Sequence, residues 1–165
     1  MRQRIADKNG EVMAEGIKTR LLRVGRAAGI VFDFEGRLGS TRDAHRLLWR
    51  VGKRSGGEAQ TRLAESLFAK VFEEKGDVTR RADLVDAATR VGVERGQAEE
   101  WLESGVGGEE VDEEARGARE SGVRHVPTFE VNGRRIEGAE DGGVFYEAFV
   151  AVKEREMNVV PRWVT

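Results

Sequence analysis

The sequence predicts an α/β chain that is mostly helical, with its strands confined to the C-terminal third. Three observations predict this. Apolar residues recur at three- and four-residue steps through successive segments between Gly10 and Ser121. Asn132-Gly133, the pair favoured in a type I′ turn, separates Thr128-Phe129-Glu130-Val131 from Arg134-Arg135-Ile136. Beyond Gly138, the residues Val144, Phe145, Ala148, Phe149 and Val152 return to the helical period.

Taken in order, Met13, Ile17, Leu21, Val24 and Ala28 share one stripe of a first helix, and Gly29 is its natural stop. Val31-Phe32-Asp33-Phe34 is extended and sets two aromatic rings under the helices. Ser40 or Thr41 offers a hydroxyl to cap the next helix, whose buried face is Ala44, Leu47, Leu48 and Val51. Lys53 to Gly57 is a polar break that contains glycine. Glu58 to Glu74 has the strongest helical period in the chain, with Leu63, Leu67, Phe68, Val71 and Phe72 aligned and Gly76 closing it. Thr79 and Gly92 bracket a helix carrying Leu84, Val85, Ala88 and Val91. Two shorter helices follow, one with Trp101-Leu102 that stops at Gly105, the other from about Gly108 to Ser121 with Gly122 beyond it. Unequal apolar spacings from helix to helix exclude a repeat. The hairpin and a last helix that packs across it end the pattern.

The expected organisation is therefore a mainly helical region over 1–122, a hairpin and helix over 123–156, and an apolar tail over 157–165. Trp163 in such a tail is expected to dock against the fold.

A chain of 165 residues, 39% apolar and 35% charged, has the composition of one globular domain. No apolar run approaches the roughly 20 residues that cross a bilayer, and Met1-Arg2-Gln3-Arg4 leads into polar sequence. No membrane partner and a cytoplasmic location are expected. With no cysteine, the chain has neither disulfides nor a thiolate of its own, and two histidines, His45 and His125, make a transition-metal site a poor expectation.

The net charge of -2 is unevenly spread. Between Lys18 and Arg54 there are ten Lys/Arg and three acids; between Gln97 and Glu120, nine acids and two Arg. Opposite blocks attract, within the fold or across a dimer, although charge runs of this kind are more often solvated helix faces.

Several chemistries find no support. Gly105-Val106-Gly107-Gly108 lacks the Lys-Ser/Thr of a phosphate loop and follows no strand. None of Ser40, Ser55, Ser66, Ser104 or Ser121 sits in a nucleophile elbow. Glu109-Glu110 and Asp112-Glu113-Glu114 read as a solvated charge run. A basic block in a chain of acidic pI is a weak basis for binding nucleic acid, so no nucleic-acid partner is expected.

His125-Val126-Pro127-Thr128-Phe129, with its proline entering a short strand that turns back through Asn-Gly, resembles the cis-proline loop of thioredoxin-fold oxidoreductases. Asp43-Ala44-His45-Arg46-Leu47 is similar to the helix start of the DsbA-like family's FrnE-like branch, which is associated with polyketide clusters and disulfide chemistry. Leu67-Phe68 before Gly76-Asp77-Val78, Ala82-Asp83-Leu84 before Val91-Gly92, and Gly122-Val123 before Val126-Pro127 follow in that family's order. The resemblance runs from about Ala6 to Lys153. It implies a partial thioredoxin-like fold, with a helical insertion domain and a C-terminal hairpin plus helix. Two departures stand out: Arg42 takes the place of an aromatic residue, and the family's first strand and Cys-x-x-Cys helix would fall ahead of Met1.

The resemblance implies a cis bond at Pro127, which would turn the neighbouring carbonyl and amide towards an extended substrate. Otherwise trans is the default, since cis bonds are only about 5–6% of X-Pro bonds in folded proteins. The plainer reading is that Pro127 opens an edge strand, where its missing N–H is harmless. Val126, Pro127, His125 and His45 are the candidate substrate-binding residues, His45 being expected to face the cleft between the two halves. A histidine there could move protons near neutral pH, but no nucleophile accompanies it, and Asp43 with Arg46 reads equally as a helix-start carboxylate and its i,i+3 partner.

Three functions are then in play. The first is a DsbA/FrnE-like oxidoreductase-family protein without thiol exchange of its own, because exchange needs a thiolate. The second is a cysteine-free module that binds a peptide, a thiol or a small aromatic molecule. The third is an enzyme resembling kappa glutathione transferases and 2-hydroxychromene-2-carboxylate isomerases, with glutathione as its cofactor; the serine those relatives use would precede Met1. The resemblance also implies an unpaired edge on Thr128 to Val131, to be covered by a second copy in a homodimer, by the tail after Met157, or by Val31 to Phe34.

Overall fold

The computed structural model describes residues 10–158, with side chains as far as Arg155. The tail at 159–165, and with it the expected docking of Trp163, lies outside them. The chain forms two compact units, Met1–Glu113 and Glu114–Thr165.

The first described helix is α1 (Glu11–Ala27), which ends as Gly29 takes a left-handed φ of 77. The apolar stripe of α1 is not a core face. Met13 and Val24 are 60% and 54% exposed, while the buried positions are Ala14 and Gly25. Gly25 is buried because the ring of Phe32 lies where a Cβ would stand. Residues 31–34 then run without forming a strand; the Asp33 N–H is taken by the Phe72 carbonyl. Phe32 meets Phe34 at 6.0 Å and Phe72 edge-on at 6.2 Å, so the segment anchors its rings as the sequence suggests.

The next helix, α2 (Arg42–Phe72), is broken at Gly56, within the expected break. Only Gly56 leaves helical geometry, at φ 83 and ψ 174, a region open almost solely to glycine. A kink at one residue thus replaces a loop, and Ala59, Leu63 and Leu67 face the same core as Ala44, Leu47 and Val51. No side chain caps this helix at Thr41; the Ser40 hydroxyl accepts the Arg42 N–H at a long 3.4 Å.

Phe68 is a second departure from the periodic reading. It is 60% exposed, touching Phe72 at 6.2 Å, whereas Leu63 is fully buried. Lys75, at φ 58, makes the left-handed turn after α2. Gly76 is needed there for space, since its Cβ would lie 2.6 Å from the Lys70 carbonyl.

Two helices complete the core. These are α3 (Arg81–Arg90), contributing Leu84, Val85, Ala87 and Ala88, and α4 (Arg95–Ser104), contributing Ala98, Trp101 and Leu102. Each fully buried leucine of this three-helix cluster contributes about 1.5–3 kcal/mol. Glu94 caps α4 by accepting the Gln97 N–H at 2.8 Å, which holds its carboxyl below the usual range. Gly105, at φ 77, ends it. The following helix, α5 (Gly108–Glu120), carries the division between the units and ends at Gly122, φ 85.

In the second unit, β1 (Thr128–Val131) pairs antiparallel with β2 (Arg134–Glu137), Phe129 opposite Ile136. Asn132 and Gly133 both take positive φ, 48 and 79, as a type I′ turn requires. The last helix, α6 (Gly142–Asn158), packs on β1, with the Phe145 ring edge-on to Phe129 at 4.9 Å. Among the described residues, Ala148 and Ile136 are the buried ones of this small core. The described sheet has these two strands.

Candidate functional site

The candidate substrate-binding segment lies in the second unit, between the end of α5 and β1. The Val126–Pro127 peptide is cis. Val126 projects into solvent, 88% exposed, and His125 and Pro127 are exposed beside it. The segment is held by hydrogen bonds on either side of the proline. Thr128 donates its hydroxyl to the His125 carbonyl at 2.6 Å, and the Gly138 N–H donates to the Pro127 carbonyl at 2.8 Å. Just past α5, the Ser121 carbonyl accepts from Arg135 on β2 at 2.8 Å, fixing the chain that leads into the segment. An apolar residue is thereby presented on a short, hydrogen-bonded stretch of backbone.

His45 belongs to the first unit, and His125 to the second, so each is described in its own surroundings. His45 is exposed on the first turn of α2, where Nδ1 lies 2.8 Å from the Thr41 carbonyl. Nδ1 is the donor there, since a carbonyl oxygen only accepts.

Its neighbours Asp43 and Arg46 are architectural. Arg46 is 4% exposed. Its guanidinium donates to Asp43 at 2.7 Å, to the Trp101 and Leu102 carbonyls at 2.7 and 3.4 Å, and to the Val106 carbonyl at 3.0 Å. The Trp101 and Leu102 carbonyls belong to the last turn of α4, the negative end of its dipole, and Val106 follows just beyond it. Sequence reasoning found the Asp43–Arg46 pair but not its role, because carbonyls sixty residues away leave no mark on composition.

The opposite charge blocks do meet in the first unit. Arg42 forms a two-pronged bond to Asp112, at 2.8 and 2.7 Å, which raises the guanidinium's proton affinity. Arg50 and Arg54, one turn apart on α2, lie over the Trp101 ring at 5.4 and 5.8 Å. Glu99, Glu100, Glu103 and Glu109 remain exposed, as charge runs generally do.

A second polar network was not anticipated. Glu74 accepts from Arg90 at 2.5 and 2.8 Å and from Lys70 at 3.3 Å, while Lys70 and Arg90 also reach Asp86. Arg90, and then Lys70, hold the Glu74 carboxyl down at about 2. Asp77, 8% exposed, is lowered chiefly by the Thr79 hydroxyl and N–H. A cleft of about 250 Å³ between α3 and α4 is lined by Arg81, Val85, Glu99, Leu102 and Glu103, and none of the predicted site residues reaches it.

Among the described residues, a block of helices precedes an antiparallel hairpin that opens behind a cis proline and is closed by a helix. The chain belongs to the DSBA-like thioredoxin domain family, whose profile matches residues 4–149. Among solved structures it is similar to a probable DsbA oxidoreductase from Streptomyces coelicolor, with a TM-score of 0.80 and 23% identity over 93% of this chain and 67% of that one. That likeness establishes a shared fold. No curated protein matches the chain.

Proposed function

We propose that this chain is a DsbA-like binding protein that takes an extended polypeptide, a thiol or a small aromatic group against the His125–Val126–Pro127 segment, without thiol–disulfide exchange by its own residues. The observation that carries the reading is Val126, an apolar side chain 88% exposed on backbone pinned from both sides, directly ahead of β1. A solvent-facing valine there is apolar surface for a ligand to cover. Family membership supports the location. The missing activity follows from composition: exchange proceeds by thiolate attack, and these 165 residues include no cysteine.

Two measurements test it on the full chain. With insulin and dithiothreitol, turbidity is expected to develop at the rate of buffer alone, and faster precipitation would overturn the assignment. Carboxymethylated insulin chains, which are extended and carry no free thiol, are expected to bind, with the affinity lost in Val126→Asp at unchanged circular dichroism. Absence of binding by the parent chain would sink the reading. A titration of glutathione accompanies these, because a heat of binding would favour a glutathione-using enzyme instead.

A further inference from the structure

We infer that Arg50, Lys53 and Arg54 on α2 form an anion site that takes the phosphate group of a small phosphate monoester. All three belong to the basic block of the sequence, and the contacts within the fold account for only part of that block. Arg42 is bound by Asp112, and Arg46 by Asp43 and the carbonyls at the end of α4. Among the described residues, Arg50, Lys53 and Arg54 have no carboxylate partner; their contacts are with indole rings.

Those rings organise the cations. Arg50 and Arg54 are one turn apart, and both guanidinium carbons lie over Trp101, 5.4 and 5.8 Å from the ring centre. Lys53 adds its ammonium next to them, 5.9 Å from the centre of the Trp49 ring. Trp101 is 6% exposed and packed in the three-helix cluster, so the platform under both guanidinium groups is part of the core. A guanidinium over an indole uses its face for the ring and keeps the N–H groups of its rim for other partners. Those N–H groups make a planar fork that matches a pair of phosphate oxygens. Arg50 Nε is buried without a hydrogen-bond partner among the described residues. A cation partly withdrawn from water in this way gains from an anion at its remaining donors.

The acids of α2 and α4 near this face are engaged or turned elsewhere. Asp43 pairs with Arg46 at 2.7 Å, and Glu58 with Arg62 at 2.6 Å. Glu99, Glu100 and Glu103 share a separate surface of α4, and Glu99 and Glu103 line the cleft against α3. The class of ligand follows from the charge. A phosphate monoester carries about 1.5–2 negative charges near neutral pH and three free oxygens, which suits three cations; a diester, with a single charge, leaves two of them unmatched. The site lies within the first unit, and no part of it rests on the function proposed for the His125–Val126–Pro127 segment, which belongs to the second.

The test titrates the full chain with inorganic phosphate, glycerol phosphate and dimethyl phosphate at neutral pH and equal ionic strength, following tryptophan fluorescence and the thermal midpoint. Inorganic phosphate and glycerol phosphate are expected to change the fluorescence saturably at millimolar concentration and to raise the midpoint, since a ligand of the folded state stabilises it. Dimethyl phosphate is expected to do neither. Arg54→Gln removes one fork and should weaken phosphate about tenfold. Lys53→Gln, which leaves the Trp101 stack intact, should act in the same direction. Arg23→Gln, at an exposed position of α1, removes the same charge far along the sequence and should leave the affinity within about twofold. Because losing Arg54 also alters the surroundings of Trp101, the thermal shift decides between the variants. No saturable response to inorganic phosphate, failure of glycerol phosphate to bind, an equal response to dimethyl phosphate, or equal losses in Arg54→Gln and Arg23→Gln overturns the proposal.

Discussion

Arg46 Nη2 donates to the Trp101 carbonyl at 2.7 Å, tying the start of α2 to the end of α4 across fifty-five residues of sequence. The same guanidinium reaches Leu102, Val106 and Asp43, so one buried cation serves the acceptors that a helix end leaves open.

Replacing it should be expensive. Arg46→Ala is expected to cost about 3 kcal/mol, because it strands buried carbonyls as well as removing the favourable bonds. Arg46→Lys should recover little, since a single ammonium cannot span donors arranged as a planar fork. Urea unfolding reads this as a lower midpoint at unchanged slope; a loss under about 0.5 kcal/mol would show that the contacts do not matter.

The Glu74 network predicts an acid dependence. Its carboxyl is held at about 2, below the ordinary value of 4.5, so the folded state binds the proton more weakly than the unfolded one. The resulting stabilisation is complete above about 4.5 and is lost as pH falls towards 2. Glu74→Gln should flatten the acid limb of thermal stability across that window. An unchanged slope would mean that solvent screens the network, whose carboxylate is 37% exposed.

Leu63 and Phe68 lie on adjacent turns of α2 with opposite fates. Leu63→Ala should cost about 2–5 kcal/mol, as a fully buried leucine leaving a cavity. Phe68→Ala, which removes a side chain already 60% in solvent, should cost less than a third of that. Equal losses in chemical denaturation would contradict the exposure of Phe68.

At the α2 kink, Gly56→Ala meets no neighbouring atom but must hold φ 83, ψ 174. A destabilisation of about 1–3 kcal/mol is expected from backbone strain alone. A neutral result would show that the two halves of α2 can join as a continuous helix.

The chain's local chemistry decided a good deal. Asn132-Gly133 fixed the turn, because few other pairs accept two positive φ values; Gly105 and Gly122 marked helix ends for the same reason. The four-residue spacing of Leu63, Leu67 and Val71 fixed a helix and its inner face. The order of short motifs indicated the family, and the sequence carries no cysteine to supply a thiolate.

Tertiary structure alone decided which periodic residues are inside and which polar ones are. Period places Met13, Val24 and Phe68 on apolar stripes, yet it carries no information on whether a partner element stands opposite, and for these the solvent does. Nor could composition show that Arg46 is buried, since its partners are backbone carbonyls that every residue possesses.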